Sequence, residues 1–111
     1  MDNKSLTHTK WNCTYHLVII PKFRRKEMYG QVRKTVREVI SKLCEMKKVE
    51  LIEGAVCADH VHLFVAIPSK QSVSEFMGYL KGKSALMIFD AHPEFKQRNR
   101  DRHFWTRGYY C

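Results

Sequence analysis

The segment Cys57-Ala-Asp-His60-Val-His62-Leu-Phe64-Val-Ala66-Ile67 constrains the fold of this chain more than any other stretch. Side chains along a strand point alternately to opposite faces, so residues two apart share a face. Val61, Leu63, Val65 and Ile67 make one face purely apolar, and such a face belongs against a core. His60, His62, Phe64 and Ala66 make the other. The expected strand, Asp59 to Ile67, therefore buries one side and presents two imidazoles together on the other. Two imidazoles on a stiff element suit a single divalent ion. The alternative at this point is two half-buried histidines bonded to backbone or water.

The flanking sequence places that strand in an α+β domain. Trp11 to Ile20 is rich in aromatic and β-branched residues, ends at Pro21, and reads as a first strand. From Tyr29 to Lys48, apolar residues fall at helical spacing: Val32, Val36, Val39, Ile40, Leu43 and Met46. Val49 to Cys57 reads as a second strand, close enough to the third to form an antiparallel hairpin. Ser72-Val-Ser-Glu75 matches a capping box. The helix it opens runs to about Phe89, with Val73, Phe76, Met77, Leu80, Met87 and Ile88 inward. Beyond a polar loop, Arg102 to Tyr110 reads as a fourth strand. The order β-α-β-β-α-β is the ferredoxin-like split βαβ pattern, an antiparallel sheet with helices on one face and strands one and three at its centre. A chain of 111 residues is expected to form this as one domain spanning 1–111.

Charge narrows the partners. Lys and Arg number 20 against 11 Asp and Glu, a net charge of +9 that favours a polyanion. No apolar run approaches the roughly 20 residues needed to cross a bilayer. Met-Asp-Asn-Lys-Ser-Leu lacks the apolar centre of an export signal. The expectation is a cytoplasmic protein without a membrane partner. Cys13, Cys44, Cys57 and Cys111 form no C-x-x-C pair and read as reduced thiols. Cys57 with His60 and His62 is a less favoured zinc set, because it needs a sharp reversal before the strand.

Positive charge gathers in Lys22-Phe23-Arg24-Arg25-Lys26, where the arginines can grip phosphates and Phe23 can stack on an unpaired base. Lys81 and Lys83 form a second candidate phosphate-binding pair on the later helix. Both segments also read as plain solvated charge. Gly82-Lys83-Ser84 imitates the end of a P-loop, but the glycine required five residues before Gly82 is Met77. On the first strand, His16 shares a face with Asn12 and Thr14, and pairing with the third strand would bring it towards the other two histidines as a less favoured third ligand.

Two family likenesses start from these residues. His60-Val-His62-Leu-Phe64 resembles the signature of histidine-triad nucleotide hydrolases, in which His62 would be the nucleophile; the third alternating position is Phe64. A much longer likeness rests on Trp11-Asn-Cys-Thr-Tyr-His16, Pro21-Lys-Phe-Arg-Arg25, Cys57-Ala-Asp-His60-Val-His62, Phe76-Met-Gly-Tyr-Leu-Lys-Gly-Lys-Ser84 and Phe104-Trp-Thr-Arg-Gly-Tyr-Tyr110. Through these the chain resembles the HUH-type single-tyrosine transposases of small bacterial insertion sequences and their REP-associated relatives. The resemblance implies a homodimer acting on single-stranded DNA that bears hairpins. It implies Mg²⁺ or Mn²⁺ held by His60 and His62, and strand transfer through a 5′-phosphotyrosine.

In that family the nucleophilic tyrosine lies on a helix after the last strand, with a glutamine four residues on. None of Tyr15, Tyr29, Tyr79, Tyr109 and Tyr110 is followed by such a glutamine. Tyr109 and Tyr110 fall in the last-strand motif, where sheet roles are expected. The expectation is a transposase core without the nucleophile helix, inactive in cleavage alone, with no catalytic residue assigned. DNA contacts are expected from Lys22, Arg24, Arg25, Lys81 and Lys83. The alternative is a non-catalytic nucleic-acid-binding module on the same scaffold.

Overall fold

The computed structural model describes residues 12–22, 28, 30–95 and 103–111. Strand β1 (Asn12–Ile19) leads to helix α1 (Gly30–Met46), hairpin strands β2 (Glu50–Val56) and β3 (Val61–Pro68), and helix α2 (Val73–Ala91). The strands form one antiparallel sheet in the order β1-β3-β2. The alternation in β3 therefore acts from the middle of the sheet. Leu17 faces Leu63, and Ile19 faces Val61.

These four residues, with Val65 and Ile67, are at most 2% exposed. Val36, Val39, Ile40, Leu43 and Cys44 of α1 join them in one core, as do Phe76, Met77, Leu80, Ile88 and Phe89 of α2. Both helices thus cover one face of the sheet and leave the histidine face open. Burial of each large side chain contributes about 1.5–3 kcal/mol. Met46, at the end of the α1 stripe, stays exposed because the helix stops there and Lys48 turns the chain away at φ 57°.

The capping box is present in full. Ser72 Oγ accepts from the Glu75 N–H at 3.0 Å, and Glu75 Oε1 accepts from the Ser72 N–H at 3.1 Å. Such a cap stabilises a helix start by about 1 kcal/mol. At the other end the His92 N–H reaches Ile88 O at 2.8 Å, and its ring Nε2 lies 3.0 Å from Thr35 Oγ1 on α1.

Two sequence expectations need correction. Regular strand β3 begins at Val61, so His60 stands at the mouth of the hairpin rather than within the strand. A hydrogen bond from the Cys57 N–H to His60 O, 2.8 Å, closes the two-residue loop Ala58-Asp59.

The expected fourth strand, Arg102 to Tyr110, is not a regular strand. Its described part, 103–111, lies antiparallel along the free edge of β1 with bridges at Pro21–Trp105 and Val18–Tyr110 only. The Thr106 N–H bonds Ile20 O at 2.7 Å, whereas Val18 next pairs with Tyr110. The segment thus carries extra residues between bridges, absorbed in a bend at Arg107-Gly108 where Gly108 has φ 74°. Glycine takes that conformation without steric cost. Pro21 adds to the irregularity, having no N–H to give.

Candidate metal and nucleic-acid site

The open face of the sheet is built by register. His62 lies between Val18 of β1 and Ala55 of β2, and His16 lies opposite Phe64. The His16 ring stacks on Phe64 with centroids 4.3 Å apart and on His62 at 5.3 Å, within 15° and 17° of parallel. Pairing of β1 with β3 does bring His16 to His62. It arrives as a stacking partner, however. A ring nitrogen binds an ion in the plane of its own ring, so near-parallel stacked rings do not converge on one ion.

His60 is held differently. Its Nδ1 lies 2.9 Å from Oδ1 of Asp59. The two residues line a groove of ≈ 520 Å³ together with, among the described residues, Val18 and Ile20. The loop beneath them is anchored by the Met28 N–H, which donates to Ala58 O at 3.2 Å. Among the described residues no three His, Cys, Asp or Glu side chains gather into a metal cage, so the zinc set of Cys57, His60 and His62 is not assembled. The donor set still fits a divalent ion of the labile kind. Two imidazoles would fill two positions, with water and phosphate oxygens completing a shell that Mg²⁺ and Mn²⁺ prefer rich in oxygen.

The expected phosphate contacts divide. Arg24 and Arg25, with Phe23 and Lys26, lie outside the described residues. Lys22 is exposed beside the edge segment, its backbone N–H bonded to Phe104 O at 2.7 Å. Lys81 and Lys83 line a groove of ≈ 490 Å³ between α2 and that segment, together with Tyr79, His103, Trp105 and Arg107. Lys83 is exposed. Lys81 donates to Gly108 O at 2.6 Å, and burial lowers its pKa below the usual lysine value.

Ser84, the last residue of the P-loop imitation, is fully buried. It accepts the Trp105 indole N–H at 2.8 Å and lies 3.3 Å from Lys81 O. Its hydroxyl seats the edge segment on α2 and is not available to a phosphate.

Sequence reasoning missed Asp59, His103 and Arg107. Asp59 adjoins His60 in the sequence, and that adjacency was its available signal. The other two enter the groove only because the edge segment folds back over α2.

No described helix is long and apolar enough to cross a membrane. The family model for IS200-like transposases matches residues 9–111. The transposase of insertion sequence element IS200 from Salmonella typhimurium is 53% identical over 109 residues, covering 98% of this chain and 72% of that protein. The ISDra2 transposase TnpA of Deinococcus radiodurans is 30% identical over 95 residues, covering 86% of this chain and 68% of its own.

A crystal structure from Deinococcus radiodurans R1, described as a transposase, superposes with a TM-score of 0.83 at 26% identity, covering 90% of this chain and 77% of its own. A REP-associated tyrosine transposase bound to a REP hairpin superposes with a TM-score of 0.64 at 15% identity, over 90% of this chain and 55% of that one, a likeness of fold. A match running from residue 9 to the last residue, together with 53% identity, shows that the chain belongs to the IS200-like transposase family.

Proposed function

We propose that this chain is the DNA-handling core of a transposase that binds single-stranded ends bearing hairpins, acts as a homodimer, and takes part in cutting and rejoining them through a 5′-phosphotyrosine link. Membership in the family makes it a DNA transposition protein, and the family implies a divalent metal. The observation that carries the finer reading is the placing of His60 and His62. One stands at the mouth of a closed hairpin and the other on the central strand, both on the side of the three-stranded sheet that the helices leave uncovered. The hairpin seen in the REP-associated relative supports the choice of DNA form.

In this reading His60 and His62 would hold the ion, Mg²⁺ or Mn²⁺. The bound ion supplies Lewis-acid polarisation of the scissile phosphate. Val18 and Ile20 line the groove beside His60. Lys22, Arg24, Arg25, Lys81 and Lys83 take phosphates and fix the strand's path, with Lys81 keeping one donor on Gly108. No nucleophile is assigned among Tyr15, Tyr29 and Tyr79, which are followed four residues on by Ile19, Arg33 and Lys83. The histidine-triad alternative gives way to the family assignment, and Phe64 stands where its third histidine belongs.

Gel-shift and calorimetric titrations with hairpin-bearing single strands and plain duplex test the DNA half. Hairpin strands bind more tightly, and affinity falls with salt as counterions are released. Replacing Arg24 and Arg25 together flattens the slope of log affinity against log salt by roughly two contacts. Tighter duplex binding, or an unchanged slope, overturns the contact assignment. Metal-dependent cleavage that is lost in both Tyr109→Phe and Tyr110→Phe overturns the sheet role expected of those two tyrosines.

The binding-module reading keeps one observation, the Phe64–His16–His62 stack on an open sheet face, where bases stack in such modules. A covalent DNA adduct formed by the intact transposition protein with Mn²⁺ excludes it.

A further inference from the structure

We infer that Asp59 is a positioning residue for His60, fixing which ring nitrogen faces the groove; the inference rests on the metal role given to His60 above. Nδ1 of His60 lies against the Asp59 carboxylate at 2.9 Å, which leaves Nε2 as the nitrogen able to serve a ligand in the Val18–Ile20 groove. A carboxylate accepts and cannot donate, so it holds the imidazole proton on Nδ1 and keeps the Nε2 lone pair free. An unpartnered neutral histidine prefers the opposite tautomer, with the proton on Nε2, and that tautomer blocks the outward nitrogen. Carboxylate–imidazole pairs of this kind orient metal-binding histidines and raise their basicity.

Three further observations favour this role over a chance surface contact. The backbone on either side of Asp59 is pinned, by Met28 N–H to Ala58 O and by Cys57 N–H to His60 O, so the carboxylate rides on a defined loop. Asp59 lines the same groove as His60, so the carboxylate sits beside the ring it orients. Finally, the two histidines need orienting by different means. His62 is braced by its stack on His16, whereas His60 stands outside the regular strand and has the carboxylate instead.

The test uses the whole chain, unaltered and as Asp59→Leu, Asp59→Asn and His60→Ala, with Mn²⁺ as the probe. Nitrogen-15 NMR of the metal-free protein reads the His60 tautomer, and calorimetry reads Mn²⁺ affinity. The unaltered protein carries the ring proton on Nδ1. Asp59→Leu moves it to Nε2 and weakens Mn²⁺ binding by about 10–100-fold. Asp59→Asn, whose amide oxygen still accepts from Nδ1, restores the tautomer and most of the affinity. A His60 ring protonated on Nε2 in the unaltered protein overturns the inference, as does an Asn variant as impaired as the Leu variant. Loss of binding in His60→Ala with full retention in Asp59→Leu overturns it alone. Absence of Mn²⁺ binding in the unaltered protein overturns the metal reading and this inference with it.

Discussion

The two faces of β3 are made by the same eight residues and obey different rules. Towards the helices, Val61, Leu63, Val65 and Ile67 are 0–2% exposed and touch a core shared by every element. Towards solvent, His62 and Phe64 are half-buried and meet a few partners: His16 in a ring stack, Val18 and Ala55 by register. Burial acts on the first face through area, about 1.5–3 kcal/mol for each side chain. On the second face a ring pair contributes only about 0.5–1.5 kcal/mol. One face therefore holds the fold and the other is free to hold chemistry. That division requires function to be lost on the open face without loss of structure.

The largest effect is expected on the core face. Leu63→Ala leaves a cavity between β3 and the helices and costs about 2–5 kcal/mol, read as a lower urea midpoint with an unchanged m-value. A cost within about 0.5 kcal/mol would break the comparison.

The core also contains a titratable group. Burial among α1 and the sheet pushes the Cys44 thiol from an ordinary 9.0 up to about 11. The folded state therefore prefers the protonated form. This contribution is complete below pH 9 and is lost as pH rises from about 9 to 11, at most on the order of 3 kcal/mol. Cys44→Ala removes this slope in urea titrations across that window; an equal slope in the variant refutes the assignment.

Ser84→Ala is smaller. It leaves the buried Trp105 indole N–H without its acceptor, for about 1–3 kcal/mol, and changes the Trp105 emission. Unchanged emission and stability would show that the edge segment does not depend on this bond.

The smallest stability effect is expected at His62→Ala, within about 1 kcal/mol, since only a ring stack is lost. The same substitution abolishes Mn²⁺ binding by calorimetry. Retained binding removes His62 from the site, and a stability loss as large as that of Leu63→Ala would erase the distinction between the faces.

What the sequence disclosed follows this division. The helix stripes, the capping box and the apolar side of β3 are local patterns with a fixed period, and each matched the structure to within a residue or two. The pairing of β1 with β3 and the central place of β3 followed from the element order, whereas β1 lies at the edge of the regular sheet. The fourth strand failed because its residues suit a strand while its register along β1 does not. That mismatch arises from Pro21 and the bend at Gly108, on two distant segments. His62 was legible because alternation places it. The stacking of His16 and the engagement of Lys81 by Gly108 were not, since each depends on which segments meet. Asp59 was overlooked for another reason: its contact is between neighbours, and adjacency alone carries no periodic signal.

The strand order also sets the sequence of events during folding. β2 and β3 are joined by a two-residue loop, and hairpins of that kind close in about 1–10 μs. β1 must find partners between 42 and 56 positions away, from Ile19 with Val61 to Asn12 with Pro68. Such distant contacts form late and slow the whole reaction. Asp59, His60 and His62 are thus expected in the piece that closes first, with His16 joining when β1 docks. Leu17→Ala, on β1, is then expected to slow refolding in stopped-flow measurements more than it speeds unfolding. The reverse pattern would place β1 docking after the barrier. On that order, the two imidazoles proposed to hold the ion would be brought together before β1 docks.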